Sequence, residues 1–336
     1  MNAPVLVTAP ESAKGAAVFA APGDPAFLAA PADEAGLAEA ITRYGCRAVV
    51  IGPQRYEGPL YRALAGTTQS GGGRAGGALI ARFGVGHDGV DKPLARELGI
   101  TVTNTPGTLD ISVAEHALWL IGGLTRHLAT VHGRLVAGSW AGITGSELHG
   151  RTLGLVGCGP IARRVAAIAG FGFGMRVIAC GRRPRAALEA ACGALATLGI
   201  AEYTQDIDAV LRAAEIVSLH LPATAETRRL FDGARFARMR PGALFVNTGR
   251  GSLVDEAALH RALVAGPLAG AALDVFEREP YQPVEPALDL RLLPNVVLTP
   301  HVGSNTVQAN QRMAAACVAN VRAFLDGRSD ALTRVG

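Results

Sequence analysis

Short apolar runs, bounded by glycine, proline or charged residues, recur along this chain at 4–8, 47–51, 78–83, 100–102, 152–156, 176–180, 216–220, 243–247, 270–274 and 296–299. Runs of this length, rich in Val, Ile, Leu and Ala, read as strands covered on both faces. Between them lie stretches with apolar residues three and four positions apart, at 32–44, 92–98, 110–127, 162–169, 187–195, 207–214, 256–265 and 308–325. That spacing predicts helices with one buried face. Two shorter helices are expected around 61–64 and ending near 237–241. The Gly-, Ser- and Thr-rich stretch 67–77 reads as a loop. Strand and helix alternate almost throughout, so the sheets should be parallel, with helices on both faces.

The strands form two groups, one before residue 103 and one of five or six strands between 152 and 299. A chain of 336 residues suggests two domains. The expected fold class is therefore α/β, with two doubly wound parallel-sheet domains. Apolar residues make up 49%, enough for two large cores, yet no uncharged run is long enough to span a membrane. No basic segment followed by an apolar one marks the N-terminus, so no secretory signal is expected. The five cysteines (46, 158, 180, 192 and 317) are odd in number and lack C-x-x-C spacing. This argues against a disulfide framework or a metal site and for a reducing cytoplasm. The net charge of +4 comes from scattered arginines not interleaved with aromatics, so no nucleic-acid partner is expected. A mild basic excess suits anionic small molecules.

The strongest chemical signal is the turn Gly157-Cys158-Gly159-Pro160-Ile161-Ala162, between a predicted strand and a predicted helix. A G-x-G-x-x-A turn in that context is a dinucleotide-binding fingerprint. Gly157 permits the tight turn, Gly159 lets the backbone approach a pyrophosphate, and Ala162 lets the helix pack close to the sheet. After the next strand a site for NAD usually carries an acidic residue that holds the ribose 2′-OH. This chain has Gly181-Arg182-Arg183 instead. Two guanidinium forks suit a 2′-phosphate, so NADP(H) is expected to be preferred, with NAD(H) possible. The plain alternative is that Arg182 and Arg183 are solvated loop charges.

Other polar residues fall just past predicted strand ends, where open parallel sheets bind ligands. The glycines around Val85 and Gly86 expose backbone N–H groups suited to a carboxylate, or simply provide a turn. Arg250, Glu279 and His301 each follow a strand. Histidine can donate a proton near neutral pH, a carboxylate can orient the ring, and arginine can clamp a carboxylate and polarise a carbonyl. Taken singly, these are a turn charge, a solvated residue before Pro280 and a helix-cap residue; together with a fingerprint they describe an active site. His116 and His127 lie on the long apolar helix and read as structural.

The motifs ARFGVGHDGVD (81–91), NTPGTLDISVAEHAL (104–118), GLVGCGPIA (154–162), VSLHLPATAETRRL (217–230), VNTGRGSLVDE (246–256), AALDVFEREP (271–280) and LTPHVGSNT (298–306) span nearly the whole chain. In these the sequence resembles the D-isomer-specific 2-hydroxyacid dehydrogenase family. The resemblance implies a Rossmann nucleotide-binding domain at 104–300 and a discontinuous, flavodoxin-like substrate domain at 1–103 and 301–336. It implies Arg250 as the substrate-binding arginine, Glu279 as the partner carboxylate and His301 as the acid/base, with Val85 and Gly86 also at the substrate. Along the cofactor it implies Gly157, Gly159, Pro160, Ile161, Val113, Leu221, Pro222, Thr227, Thr248 and Gly249, with Asp274 near the nicotinamide carboxamide. It also implies a homodimer joined through the helix predicted at 110–127. Two positions depart from the family pattern: Ala162 replaces a third glycine, and 181–183 lack the usual acid. The second departure looks like the NADP-preferring glyoxylate/hydroxypyruvate reductase branch. The expected activity is reduction of a small 2-keto acid to the D-2-hydroxy acid. The alternatives are a phosphoglycerate dehydrogenase-like or other D-2-hydroxyacid dehydrogenase, a cofactor-sensing corepressor-like scaffold or, more weakly, a methyltransferase.

Overall fold

A computed structural model of the chain describes residues 3–69 and 77–335. It divides into two compact units, Met1–Leu109 with Asn305–Gly336, and Asp110–Ser304. The first is built on a five-stranded sheet of β1 (Val5–Thr8), β2 (Phe27–Ala30), β3 (Ala48–Ile51), β4 (Ala78–Arg82) and β5 (Ile100–Thr103). Its order is β2-β1-β3-β4-β5, and every pair is parallel. One face packs a core that includes Leu37, Ile41, Tyr56, Tyr61 and Leu64. The helix Val307–Leu325 returns to this unit and lies against β4. Thr306 caps it by accepting from the Ala309 N–H at 3.1 Å.

The second unit holds β6 (Thr152–Val156), β7 (Arg176–Cys180), β8 (Glu202–Thr204), β9 (Ile216–Leu219), β10 (Ala243–Asn247), β11 (Leu268–Leu273) and β12 (Val296–Leu298). The seven strands run in the order β12-β11-β10-β9-β6-β7-β8, again all parallel. The central strands are buried along their whole length, which is why they read as unbroken apolar runs. Each face has its own core. One contains Phe231, Phe236 and Phe245, with ring centroids 5.2–5.8 Å apart. The other seats the helix Asp110–Thr125 against the sheet through Ala114, Ala117, Ile121 and Leu124.

Some elements differ from the sequence expectation. The strand β2, Phe-Leu-Ala-Ala, is apolar but mostly uncovered and was not among the expected strands, and β8 has three residues, two of them polar, so it carries no apolar run. The helix expected at 110–127 stops at Thr125, because His127 adopts left-handed backbone (φ 53°), and a second helix, Leu128–Val136, follows. The helix Pro59–Gln69 takes up the start of the stretch read as a loop, whose residues 70–76 lie outside the described part. Among the described residues no helix is long and apolar enough to cross a membrane.

Candidate active site

In the second unit the sheet order reverses at β6, which pairs with β7 on one side and β9 on the other. The carboxyl ends of strands at such a reversal frame a ligand crevice. The glycine turn sits there. Gly157 has φ 106°, and a Cβ on it would fall 2.3 Å from the His220 carbonyl oxygen, so the loops after β6 and β9 meet only because this residue has no side chain. Ala162 is fully buried on the inner face of the helix Pro160–Ala167. No side chain caps that helix at Gly159, and a Cβ there would meet nothing within 4 Å. Open space over uncapped N–H groups is what a pyrophosphate needs. Pro160 is exposed, Ile161 half-buried and Val113 buried on the helix Asp110–Thr125.

The loop after β9 is tied by Thr227, whose hydroxyl donates to the Pro222 carbonyl at 2.7 Å and accepts from the Thr224 N–H at 2.8 Å. Leu221 faces the turn after β10, its carbonyl 3.3 Å from where a Cβ on Gly249 would stand. Beside it the Thr248 hydroxyl is buried without a hydrogen-bond partner. A buried hydroxyl left unpaired costs free energy unless a ligand completes it. With the uncapped helix, it makes these residues fit a nicotinamide dinucleotide. His220 as a residue is half-buried, yet its ring is densely enclosed, which pushes it down to about 4. A neutral ring shares a hydrogen bond between Nε2 and the Ser218 hydroxyl at 3.0 Å.

After β7, Gly181 is followed by two exposed arginines. Tyr203 donates to the Arg183 carbonyl at 2.6 Å and Gln205 to the Arg182 carbonyl at 2.7 Å, so β8 fixes the backbone of this turn. Neither guanidinium forms an ion pair among the described residues; Arg182 acts at longer range on Glu226, which is held below its ordinary value chiefly by a hydrogen bond with Thr224.

The turn after β10 carries Arg250. Asn247 organises it, its side chain accepting from the Gly249 N–H at 3.0 Å and donating to the Arg250 carbonyl at 2.8 Å. Gly251 presses on the loop after β11 so closely that a Cβ would overlap the Phe276 carbonyl group at 1.9 Å. That loop carries Glu279, whose Oε1 accepts from the Phe276 N–H at 3.0 Å. Its Oε2 lies 2.6 Å from His301 Nδ1. Both side chains are about one-third exposed. His301 sits in left-handed backbone (φ 54°), with its N–H donating to the Asp274 carbonyl at 2.8 Å. Asp274 is 2% exposed, and its Oδ1 accepts from the Thr299 hydroxyl at 2.6 Å and the Val302 N–H at 2.9 Å, its Oδ2 from the Gly303 N–H at 2.8 Å. Burial alone would raise this carboxyl, but hydrogen bonds from His116, Thr299, Val302 and Gly303 hold it below its ordinary value. These donors occupy the Asp274 oxygens without any contribution from a ligand.

In the first unit, the 84–86 loop follows β4. It is held from the chain beyond β5, by Thr105 N–H to the Gly84 carbonyl at 3.1 Å and Asn104 Nδ2 to the Val85 carbonyl at 2.8 Å. Val85 and Gly86 are half-buried.

The geometry thus brings Glu279 and His301 into contact and places Arg250 on the turn braced against the Glu279 loop. It also uses residues that the sequence reading passed over or ranked low. His116 touches the network behind His301, Asn104 holds the 84–86 loop, and Asn247 shapes the Arg250 turn. A polar residue at a strand end could have flagged Asn247, while the other two depend on contacts far apart in sequence.

Residues 118–303 match the family description "D-isomer specific 2-hydroxyacid dehydrogenase, NAD binding domain". The chain is 40% identical over 259 residues to a glyoxylate reductase of Aeropyrum pernix, covering 74% of each protein. It is 39% identical over 246 residues to a hydroxypyruvate reductase of Thermotoga maritima, covering 72% of this chain and 76% of that one. Among solved structures it is similar to an NADPH-dependent glyoxylate/hydroxypyruvate reductase of Sinorhizobium meliloti in complex with NADP and malonate, with a TM-score of 0.78 and 29% identity, over 100% of this chain and 97% of that one. A parallel sheet with a glycine turn at its reversal, a paired carboxyl and imidazole at its strand ends, and relatives of this similarity place the chain in the D-isomer-specific 2-hydroxyacid dehydrogenase family of oxidoreductases.

Proposed function

We propose that this protein reduces a small 2-keto acid to the D-2-hydroxy acid, with glyoxylate or hydroxypyruvate as substrate and NADPH as the preferred donor. The observation that carries the reading is the 2.6 Å contact between His301 Nδ1 and Glu279 Oε2. When bound, the reduced nicotinamide supplies a hydride to the substrate's C2. His301 then gives its proton to the substrate oxygen, and Glu279 fixes the ring that delivers it. Arg250 binds the carboxylate and draws electron density toward the carbonyl oxygen, so its contact strengthens as charge develops there. The backbone N–H groups at Val85 and Gly86 are suited to a substrate carboxylate. The first unit thereby acts as the substrate domain and the second as the nucleotide domain.

Gly157, Gly159, Pro160 and Ile161 hold the pyrophosphate, and Val113, Leu221, Pro222, Thr227, Thr248 and Gly249 line the rest of the dinucleotide. Asp274 lies at the carboxamide end, where its four chain donors leave it little acceptor capacity, so its larger task is to shape the backbone around His301. Arg182 and Arg183 grip the 2′-phosphate. The five free cysteines fit a cytoplasmic location. Trp119, Leu135, Val136 and Trp140 are 75%, 55%, 75% and 91% exposed, and large apolar side chains left in solvent support a homodimer that covers them.

The test is steady-state kinetics with glyoxylate, hydroxypyruvate, pyruvate and larger keto acids, each with NADPH and NADH. Glyoxylate or hydroxypyruvate with NADPH should give the highest kcat/KM. Absence of keto-acid-dependent oxidation with either donor overturns the activity, and a clear preference for NADH overturns the choice of donor.

A further inference from the structure

His301 occupies a left-handed backbone region that side-chain-bearing residues rarely adopt, so the surrounding structure must impose it. Asp274 does so at three consecutive residues. Its carbonyl receives the His301 N–H at 2.8 Å, and its carboxylate receives the N–H groups of Val302 and Gly303 at 2.9 and 2.8 Å. A carboxylate this deeply buried is stable only when its lone pairs are met. Thr299 meets one from within the same loop, donating its hydroxyl to Oδ1 at 2.6 Å.

The remaining partner comes from another element. His116, on the helix Asp110–Thr125, places Nε2 3.1 Å from the Thr299 hydroxyl oxygen and 3.3 Å from Asp274 Oδ1. Because the Thr299 hydroxyl donates to Asp274, its oxygen is left to accept, and this assigns the proton to His116 Nε2. That single N–H is shared between the two oxygens that shape the 299–303 loop.

We propose that His116 is a positioning residue for the acid–base pair: its Nε2–H braces Asp274 and Thr299, and Asp274 in turn holds the backbone that aims His301 at Glu279. The proposal rests on the reading of His301 as proton donor. It also gives a catalytic consequence to a histidine whose place on an apolar helix marks it as structural.

Two substitutions separate the hydrogen bond from the space the ring fills. His116→Gln keeps an N–H at similar reach, whereas His116→Leu keeps apolar bulk without a donor. The Leu variant should lose about tenfold in kcat, with KM for keto acid and NADPH within about twofold, since a slightly misaimed group costs rate more than binding. The Gln variant should stay within about threefold of the parent. In the cofactor-free protein, the imidazole NMR signals of His301 should move or broaden in the Leu variant and remain in place in the Gln variant. Parental kcat and unmoved His301 signals in the Leu variant overturn the proposal. Equal impairment of both variants with unmoved signals also overturns it, by assigning the effect to ring volume. If His301→Ala retains parental turnover, the acid–base reading itself fails, while the NMR comparison still decides whether His116 holds the loop.

Discussion

At the carboxyl ends of the seven-stranded sheet the chain places charged and titratable side chains: Arg182 and Arg183 after β7, Arg250 after β10, Glu279 after β11 and His301 after β12. At the end of β4 in the five-stranded sheet it puts Gly84, Val85 and Gly86, whose polar groups are backbone N–H and C=O. The surfaces differ too. In the second unit Trp119, Leu135, Val136 and Trp140 stand exposed, whereas among the described residues of the first the exposed large apolar ones are Leu28, Tyr44 and Val307. Under the proposed function, two sheets of the same parallel type serve unlike tasks. One bears the reactive groups and more exposed apolar side chains; the other offers a shaped backbone. Deleting a side chain should silence the first kind of site, while the second yields only when its loop is moved.

The sharpest separation comes from His301→Ala. It should lower turnover by about 10²–10⁴, the usual worth of a general acid, with cofactor binding kept. Turnover close to the parent's would take the proton donor away from the second unit and dissolve the contrast. Next in size, Trp119→Arg combined with Val136→Arg should weaken self-association by at least about tenfold, as charge on a buried apolar contact does. Sedimentation velocity should then show a shift toward monomer, and Tyr44→Arg in the first unit should show none. Equal effects, or no association in the parent, would erase the surface difference. The smallest effect belongs to Asn104→Ala, which removes the 2.8 Å bond to the Val85 carbonyl. Losing one such bond costs about 0.5–1.5 kcal/mol, so KM for the keto acid should rise about 2- to 12-fold with kcat little changed. A fall in kcat without change in KM would mean the 84–86 loop does more than bind.

Much of this was legible in the sequence because its cause is local. A strand buried on both faces must be apolar, a glycine turn before a helix must be glycine, and groups at the ends of parallel strands point toward one crevice. Thus the pattern exposes β6, the fingerprint and the strand-end positions of Arg250, Glu279 and His301. The polar β8 gives no such signal, and β2 is a four-residue apolar stretch too short and too little covered to stand out from its surroundings. Contacts set by packing were hidden altogether. His116 and Thr299 are 183 positions apart, and nothing in either segment announces that they meet. The break at His127 was hidden for another reason, since the apolar spacing continues straight through it while the backbone does not.

If NADPH is the donor, as proposed, Tyr203 bears on how the chain could come to accept the other reductant. A Cβ on Gly181 would stand 2.9 Å from the Tyr203 hydroxyl, which itself pins the Arg183 carbonyl. An acidic side chain at 181 therefore displaces the phenol, and doing so loosens the turn that carries both guanidinium groups. Mutational routes between the two nicotinamide pools are then coupled, so that a change at position 181 is felt at position 203 and, through it, at the turn.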